Sequence, residues 1–171
     1  MEAEIQLRFV QGRAWDSRVI QFGTRCCWSH CEAVIDGRDS LGAMLRGGVR
    51  VRSMAEPCYS GVKWSETWTI PATPDQVDGF WRFLADQLGA PYDWRAILSF
   101  GLGQRDWRAP GAWFCSELQA RALEVAGVLT LPNLLPVERI TPRDVYMLIQ
   151  QLRHAHKTLT APAAPVEKST S

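Results

Sequence analysis

Apolar and polar residues alternate in three segments of the N-terminal half, which is the pattern of β-strands with one buried face. These segments are residues 5–9, 49–51 and 62–70, and we expect the last two to be antiparallel partners. A short apolar run closed by Gly37 predicts one more strand over residues 30–35. The alternation therefore predicts an antiparallel sheet.

Apolar residues recur at helical spacing in other parts of the chain. The predicted helices cover residues 16–24, 74–88, 115–126 and 142–152. Thr73 and Gln76 have the spacing of a capping box around Pro74, and a second Thr-Pro pair opens the last helix. Because strands and helices both occur and the strands are predicted to be antiparallel, we expect an α+β fold with helices packed on the sheet.

The length of the chain fits one compact domain. A chain of 171 residues is about one domain by the usual size range and can bury a substantial core. We assign residues 1–156 to this domain. Residues 157–171 are rich in Ala, Pro, Ser and Thr, so we expect a flexible C-terminal tail there.

The charge balance limits the kinds of partner. With 19 basic and 18 acidic residues, the chain is not expected to bind nucleic acid or to be held on a membrane by charge alone. The local basic residues Arg46, Arg50 and Arg52 are expected to form a solvated strand face, with contact to an acidic ligand as the alternative.

The sequence does not predict export or membrane insertion. Residues 1–8 carry charged side chains and lack the apolar core of a secretory signal. The apolar run at 96–102 is too short to span a bilayer. We therefore expect a soluble, cytoplasmic protein.

Cys115 is the candidate nucleophile, because it lies where a predicted extended segment turns into a helix. Unpaired N–H groups and the positive end of the helix dipole lower a thiol pKa at such a position. The alternative is a buried cysteine that serves only as a small hydrophobic residue.

His30 is the candidate general base, since it opens the strand in which Glu32 shares its face. Cysteine hydrolases need a base and a group that orients it, and these residues supply both types. Asp36 and Asp93 are the alternatives for the orienting group. His30 could also be a strand-end histidine bonded to backbone groups.

Four short motifs together resemble a known family. They are Ser29-His30 followed by Glu32, the segment Gly47 to Val51, the turn Tyr92 to Trp94, and the helix start Phe114 to Leu118. This combination is similar to the circularly permuted papain-like hydrolases, the YiiX-like branch of the NlpC-type cysteine peptidases and amidases, over the span from Ile5 to Leu152. It also resembles small proteins encoded by tailed phages and prophages, which implies association with a virion as an alternative to the cytoplasm.

The resemblance implies a function and site roles. It implies Cys115 as nucleophile, His30 as base and Glu32 as third member, with the histidine preceding the cysteine as in the permuted branch. The implied reaction is thiol hydrolysis of an amide bond in a peptide or cell-wall stem through a thioester. The alternatives are a catalytically silent phage structural or assembly protein that retains the fold, and a lipid-directed acyltransferase or amidase acting on a lipid amide.

Aromatic residues precede Cys115 in a turn-rich stretch. Tyr92 and Trp113 are expected to line a substrate groove, with a purely structural role in the core as the alternative.

The remaining cysteines do not form a disulfide or metal pattern. Cys26, Cys27 and Cys31 cluster near His30, but adjacent cysteines rarely ligate one ion and no second Cys-x-x-Cys pair follows. We therefore expect neither a metal site nor a cofactor.

Overall fold

The computed structural model describes residues 3–55, 61–97, 109–131 and 140–160, and of residues 153–160 the backbone alone. The chain forms an α+β fold in which helices pack on one antiparallel sheet of five strands, in the order β4-β3-β2-β1-β5. The strands are β1 Ala3–Gly12, β2 His30–Val34, β3 Asp39–Met44, β4 Gly48–Ser53 and β5 Val62–Ala72.

The strand pairing corrects one expectation. β4 and β5 lie at opposite edges of the sheet and are not partners. β4 pairs with β3, which the alternation did not predict, and β5 pairs with β1. β3 lacks alternation because its residues from Ser40 to Met44 are buried on both faces.

Most of the helices begin and end within two residues of the predicted positions. They are α1 Trp15–Thr24, α2 Pro74–Asp86, α3 Cys115–Val125 and α4 Pro142–Thr160. The predicted capping box is confirmed, since Thr73 Oγ1 accepts from the Gln76 N–H and Gln76 Oε1 accepts from the Thr73 N–H. α4 continues to Thr160, past the predicted domain boundary at residue 156; the rest of the predicted tail lies outside the described residues.

The core lies between the sheet and the helices. α3 packs against β2 and β3, α2 packs against α3, and α4 packs against β5. Phe9 of β1 meets the ring of Tyr146 in α4 edge-on, with ring centroids 5.2 Å apart. This arrangement places the first turn of α3 beside the first residues of β2. Within the described part of the chain, no helix combines the length and the apolar character needed to cross a bilayer.

Candidate active site

Cys115 is the first residue of α3. The chain enters in an extended conformation at Phe114, whose N–H donates to Glu117 Oε2 at 3.4 Å. Ser116 Oγ donates to the Ile140 carbonyl at 2.7 Å and so ties this first turn to the start of α4. Cys115 itself is fully buried. The thiol therefore lies at the positive end of the helix dipole, in a position fixed by its neighbours.

The first three residues of β2 form the other half of the site. His30 and Glu32 point to one face of the strand and Cys31 to the other, because side chains alternate. All three are fully buried. His30 Nε2 lies 3.4 Å from Glu32 Oε2. One carboxylate oxygen therefore contacts the imidazole that the sequence singled out.

Arg52 of β4 holds the same carboxylate from the other side. Its Nη2 lies 2.8 Å from Glu32 Oε1 and 2.7 Å from Oε2, and its Nε lies 3.2 Å from Oε2. Arg8, opposite Glu32 in β1, adds a contact at 3.4 Å. Burial alone raises the pKa of Glu32, but the hydrogen bond and charge of His30, followed by those of Arg52, lower it to about 2. Glu32 is therefore held as a buried carboxylate.

The expectation of a solvated face at Arg52 is wrong. Its side chain is 4% exposed, whereas its neighbour Val51 is 45% exposed. Sequence reasoning missed Arg52 and Arg8 as members of this cluster. The alternation of valine and arginine in residues 49–52 indicates a strand, but it does not show which side chains of an edge strand are buried.

Two neighbours act on the Cys115 thiol. Burial by itself raises the pKa of Cys115, but a hydrogen bond from the Cys31 thiol and the charge and hydrogen bond of the His30 imidazole lower it by more. The pKa therefore lies well below its ordinary value. Burial and the contact with Cys115 raise the pKa of Cys31 well above its ordinary value. The Cys31 thiol therefore stays protonated and donates the hydrogen bond, and the Cys115 sulfur accepts it. Sequence reasoning did not identify Cys31 as part of this site.

The other candidate carboxylates are engaged elsewhere. Asp36 Oδ1 accepts from the N–H groups of Arg38 and Asp39 and closes the β2–β3 turn. Asp93 is buried, and its two oxygens accept from the N–H groups of Arg95 and Ala109. Of the three carboxylates considered, Glu32 is the one that contacts His30.

Tyr92 and Trp113 lie together, joined by a single parallel bridge. The Trp113 indole N–H donates to Gln87 Oε1 at 2.9 Å, and its ring meets Phe83 edge-on. Tyr92 is buried, with its ring 5.8 Å from that of Phe114. These contacts anchor the segment that leads into Cys115, while substrate binding by either residue stays a prediction.

The cysteines near His30 differ in exposure. Cys26 is half-buried, Cys27 is exposed and Cys31 is buried. Across the described ranges, no three His, Cys, Asp or Glu side chains are grouped so that they could hold a metal ion. The chain matches no family model and no curated protein sequence.

Proposed function

We propose that the protein is a cysteine hydrolase, an amidase or endopeptidase with a permuted papain-like arrangement of Cys115, His30 and Glu32. The proposal depends mainly on one arrangement: the buried Cys115 thiol lies in contact with His30 and Cys31, and both contacts lower its pKa. Its position at the start of a helix supports the same reading. Glu32 is the orienting group, because its carboxylate faces the imidazole and is fixed by Arg52.

The mechanism follows from the positions of these groups. His30 exchanges the proton with Cys115, while Glu32 contacts its Nε2 and orients the ring. The thiolate attacks the carbonyl carbon, and N–H groups of the first turn of α3 receive the developing oxyanion. The imidazolium then protonates the leaving amine as the C–N bond breaks and a thioester forms. Water, deprotonated by His30, hydrolyses the thioester and restores the thiol.

The proposed substrate class depends on the family resemblance. We propose an amide bond of a peptide or of a cell-wall stem, because that chemistry is typical of the branch that the motifs resemble. A phage origin and a cytoplasmic or virion location belong to the same proposal. Neither is needed for the chemistry at Cys115.

Alkylation of Cys115 tests the proposal, and Cys27 provides an internal reference. Cys27 is an exposed residue. Partial burial of its thiol, together with the neighbouring Cys26, still raises its pKa. We expect iodoacetamide at mildly acidic pH to label Cys115 faster than Cys27, with the ratio falling as the pH rises. The His30→Ala variant should lose this preference. Peptide mass spectrometry reads both sites in one sample, and circular dichroism checks that the variant is folded.

Trapping of an acyl-enzyme tests the reaction itself. Incubation with acyl peptides and muropeptides, followed by acid quenching, should add an acyl mass to Cys115 that hydroxylamine removes. Cys115→Ser and His30→Ala are the matched controls. Preferential labelling of Cys27 at every pH, together with absence of an acyl adduct, would contradict the proposal.

A second candidate is a catalytically silent structural protein. Complete burial of both Cys115 and His30 favours it, because a substrate carbonyl must reach the thiol. In this case Cys115 labels only when the protein unfolds. Labelling rates across a urea titration distinguish the two functions: a rate proportional to the unfolded fraction supports the silent protein, and a fast rate without urea supports the enzyme.

A further inference from the structure

Helix α1 presents its two aromatic residues to solvent and buries several of its polar residues. Trp15 is 67% exposed and Phe22, seven residues later, is 83% exposed. Arg18 lies between them on the same face and is exposed as well. The opposite face is buried and carries mainly polar or small side chains, namely Asp16, Ser17, Ile20 and Thr24. Exposed aromatic rings and a largely polar buried face depart from the pattern of an ordinary surface helix.

Specific contacts fix this orientation. Gln21 Nε2 donates to the Gly12 carbonyl at 3.1 Å. Ser17 lies so close to β1 that a Cβ on Gly12 would come within 2.2 Å of its hydroxyl. The polar face therefore fits closely against the end of β1, and rotation of the helix would break the Gln21 bond and the Ser17 contact. The aromatic face is exposed because the fold holds it there.

Positive charge surrounds the aromatic residues. Arg13, Arg18 and Arg25 are all exposed. Asp16 is the one acidic residue in the segment from residue 12 to residue 29, and it is buried. Two large apolar rings and Arg18 thus lie on the surface of α1, with Arg13 just before the helix and Arg25 just after it, although the whole chain is close to neutral.

We propose that this face of α1 docks the protein on an anionic lipid bilayer. Indole and phenyl rings favour the boundary between head groups and acyl chains, and arginines on the same face bind lipid phosphates. A protein surface that matched Trp15 and Phe22 would need carboxylates opposite all three arginines, whereas an anionic bilayer supplies negative charge at every position. The helix has ten residues, so the docking is peripheral and reversible. This inference goes beyond the proposed hydrolase and does not depend on it.

Vesicle sedimentation of the full chain tests the proposal. The probes are phosphatidylcholine vesicles with and without phosphatidylglycerol. We expect binding to the anionic vesicles only, weakening as salt is added. The double variant Trp15→Ala/Phe22→Ala should lose about ten-fold or more in affinity, because most of the inserted apolar area is removed. Arg18→Gln should lose about five-fold.

Matched controls separate a specific face from general attraction. Arg46→Gln removes the same charge from an exposed position in the β3–β4 turn, and Val125→Ala shortens an exposed apolar residue on α3. Both should bind like the parent chain, as should Cys115→Ala. Equal losses from Arg46→Gln and Arg18→Gln would overturn the proposal. So would absence of binding at low salt, or a dimer in sedimentation equilibrium that Phe22→Ala dissociates.

Discussion

Arg52 and Glu32 are joined across an intervening strand, with Arg52 Nη2 2.7 Å from Glu32 Oε2. Glu32 lies on β2, Arg52 on β4, and β3 runs between them. On this face β3 carries Ser40, which pairs with Arg52, and Gly42, whose position would bring a Cβ within 3.1 Å of Glu32. Small residues on β3 thus leave room for the arginine to cross. The orientation of His30 therefore depends on an edge strand that contributes no catalytic group.

Removal of Arg52 should destabilise the protein. Arg52→Met keeps the volume but leaves Glu32 as a buried charge with weaker partners, which costs about 3 kcal/mol. Arg50→Met on the same strand is the control, and an exposed substitution of this kind is expected to change stability by less than about 0.5 kcal/mol. Urea unfolding measures both. Equal losses in the two variants would mean that the Arg52–Glu32 pair does not stabilise the fold.

Acid should remove stability that Glu32 supplies. Its pKa falls from 4.5 to about 2 on folding, so the carboxylate stabilises the protein above its unfolded pKa, and this contribution is lost as the pH falls towards 2. The difference corresponds to about 3 kcal/mol. Urea unfolding of the parent and of Glu32→Gln at a series of pH values measures it. We expect the advantage of the parent to shrink between pH 4.5 and 2; a constant difference would contradict the lowered pKa.

The Cys31 thiol should tune the reactivity of Cys115. Cys31→Ala removes a hydrogen bond to the thiolate, so the pH midpoint of Cys115 alkylation should rise by about one pH unit or more. Cys31→Ser keeps a donor and should shift the midpoint less. Cys26→Ala, in the loop before β2, is the control. An unchanged midpoint in Cys31→Ala would show that His30 alone sets the pKa of Cys115.

Gly48 should be intolerant of a side chain. Its φ is +66°, and a Cβ there would come within 2.1 Å of the Ala90 carbonyl oxygen, which accepts from the Val49 N–H at 2.8 Å. We expect Gly48→Ala to cost about 3 kcal/mol or more from strain and the lost contact. Gly37→Ala has a similar φ but open space, so it should cost about 1 kcal/mol. Thermal unfolding compares the two, and equal losses would mean that the Ala90 contact is unimportant.

The sequence predicts local features of this fold better than distant ones. The capping box at Thr73 and the start of α3 follow from neighbouring residues, and the structure confirms both. β3 was not predicted, because burial of both its faces removes the alternation of apolar and polar residues. The burial of Arg52 depends on strand order and on small residues in β3, which no local pattern encodes. The contact of Cys31 with Cys115 likewise requires knowledge of how α3 packs on β2.

The alternation of side chains along β2 also restricts how the sequence can vary in length. Val10 pairs with His30, and Arg8 pairs with Glu32. One residue inserted between His30 and Glu32 would place imidazole and carboxylate on opposite faces of the strand, even with every site residue kept. Insertion of an even number of residues would keep the imidazole and the carboxylate on one face, but it would move Glu32 away from Arg52. The site therefore requires an even spacing between His30 and Glu32 as much as it requires these residues. The loop from Arg25 to Ser29, in contrast, can change length without moving either side chain to the other face of β2.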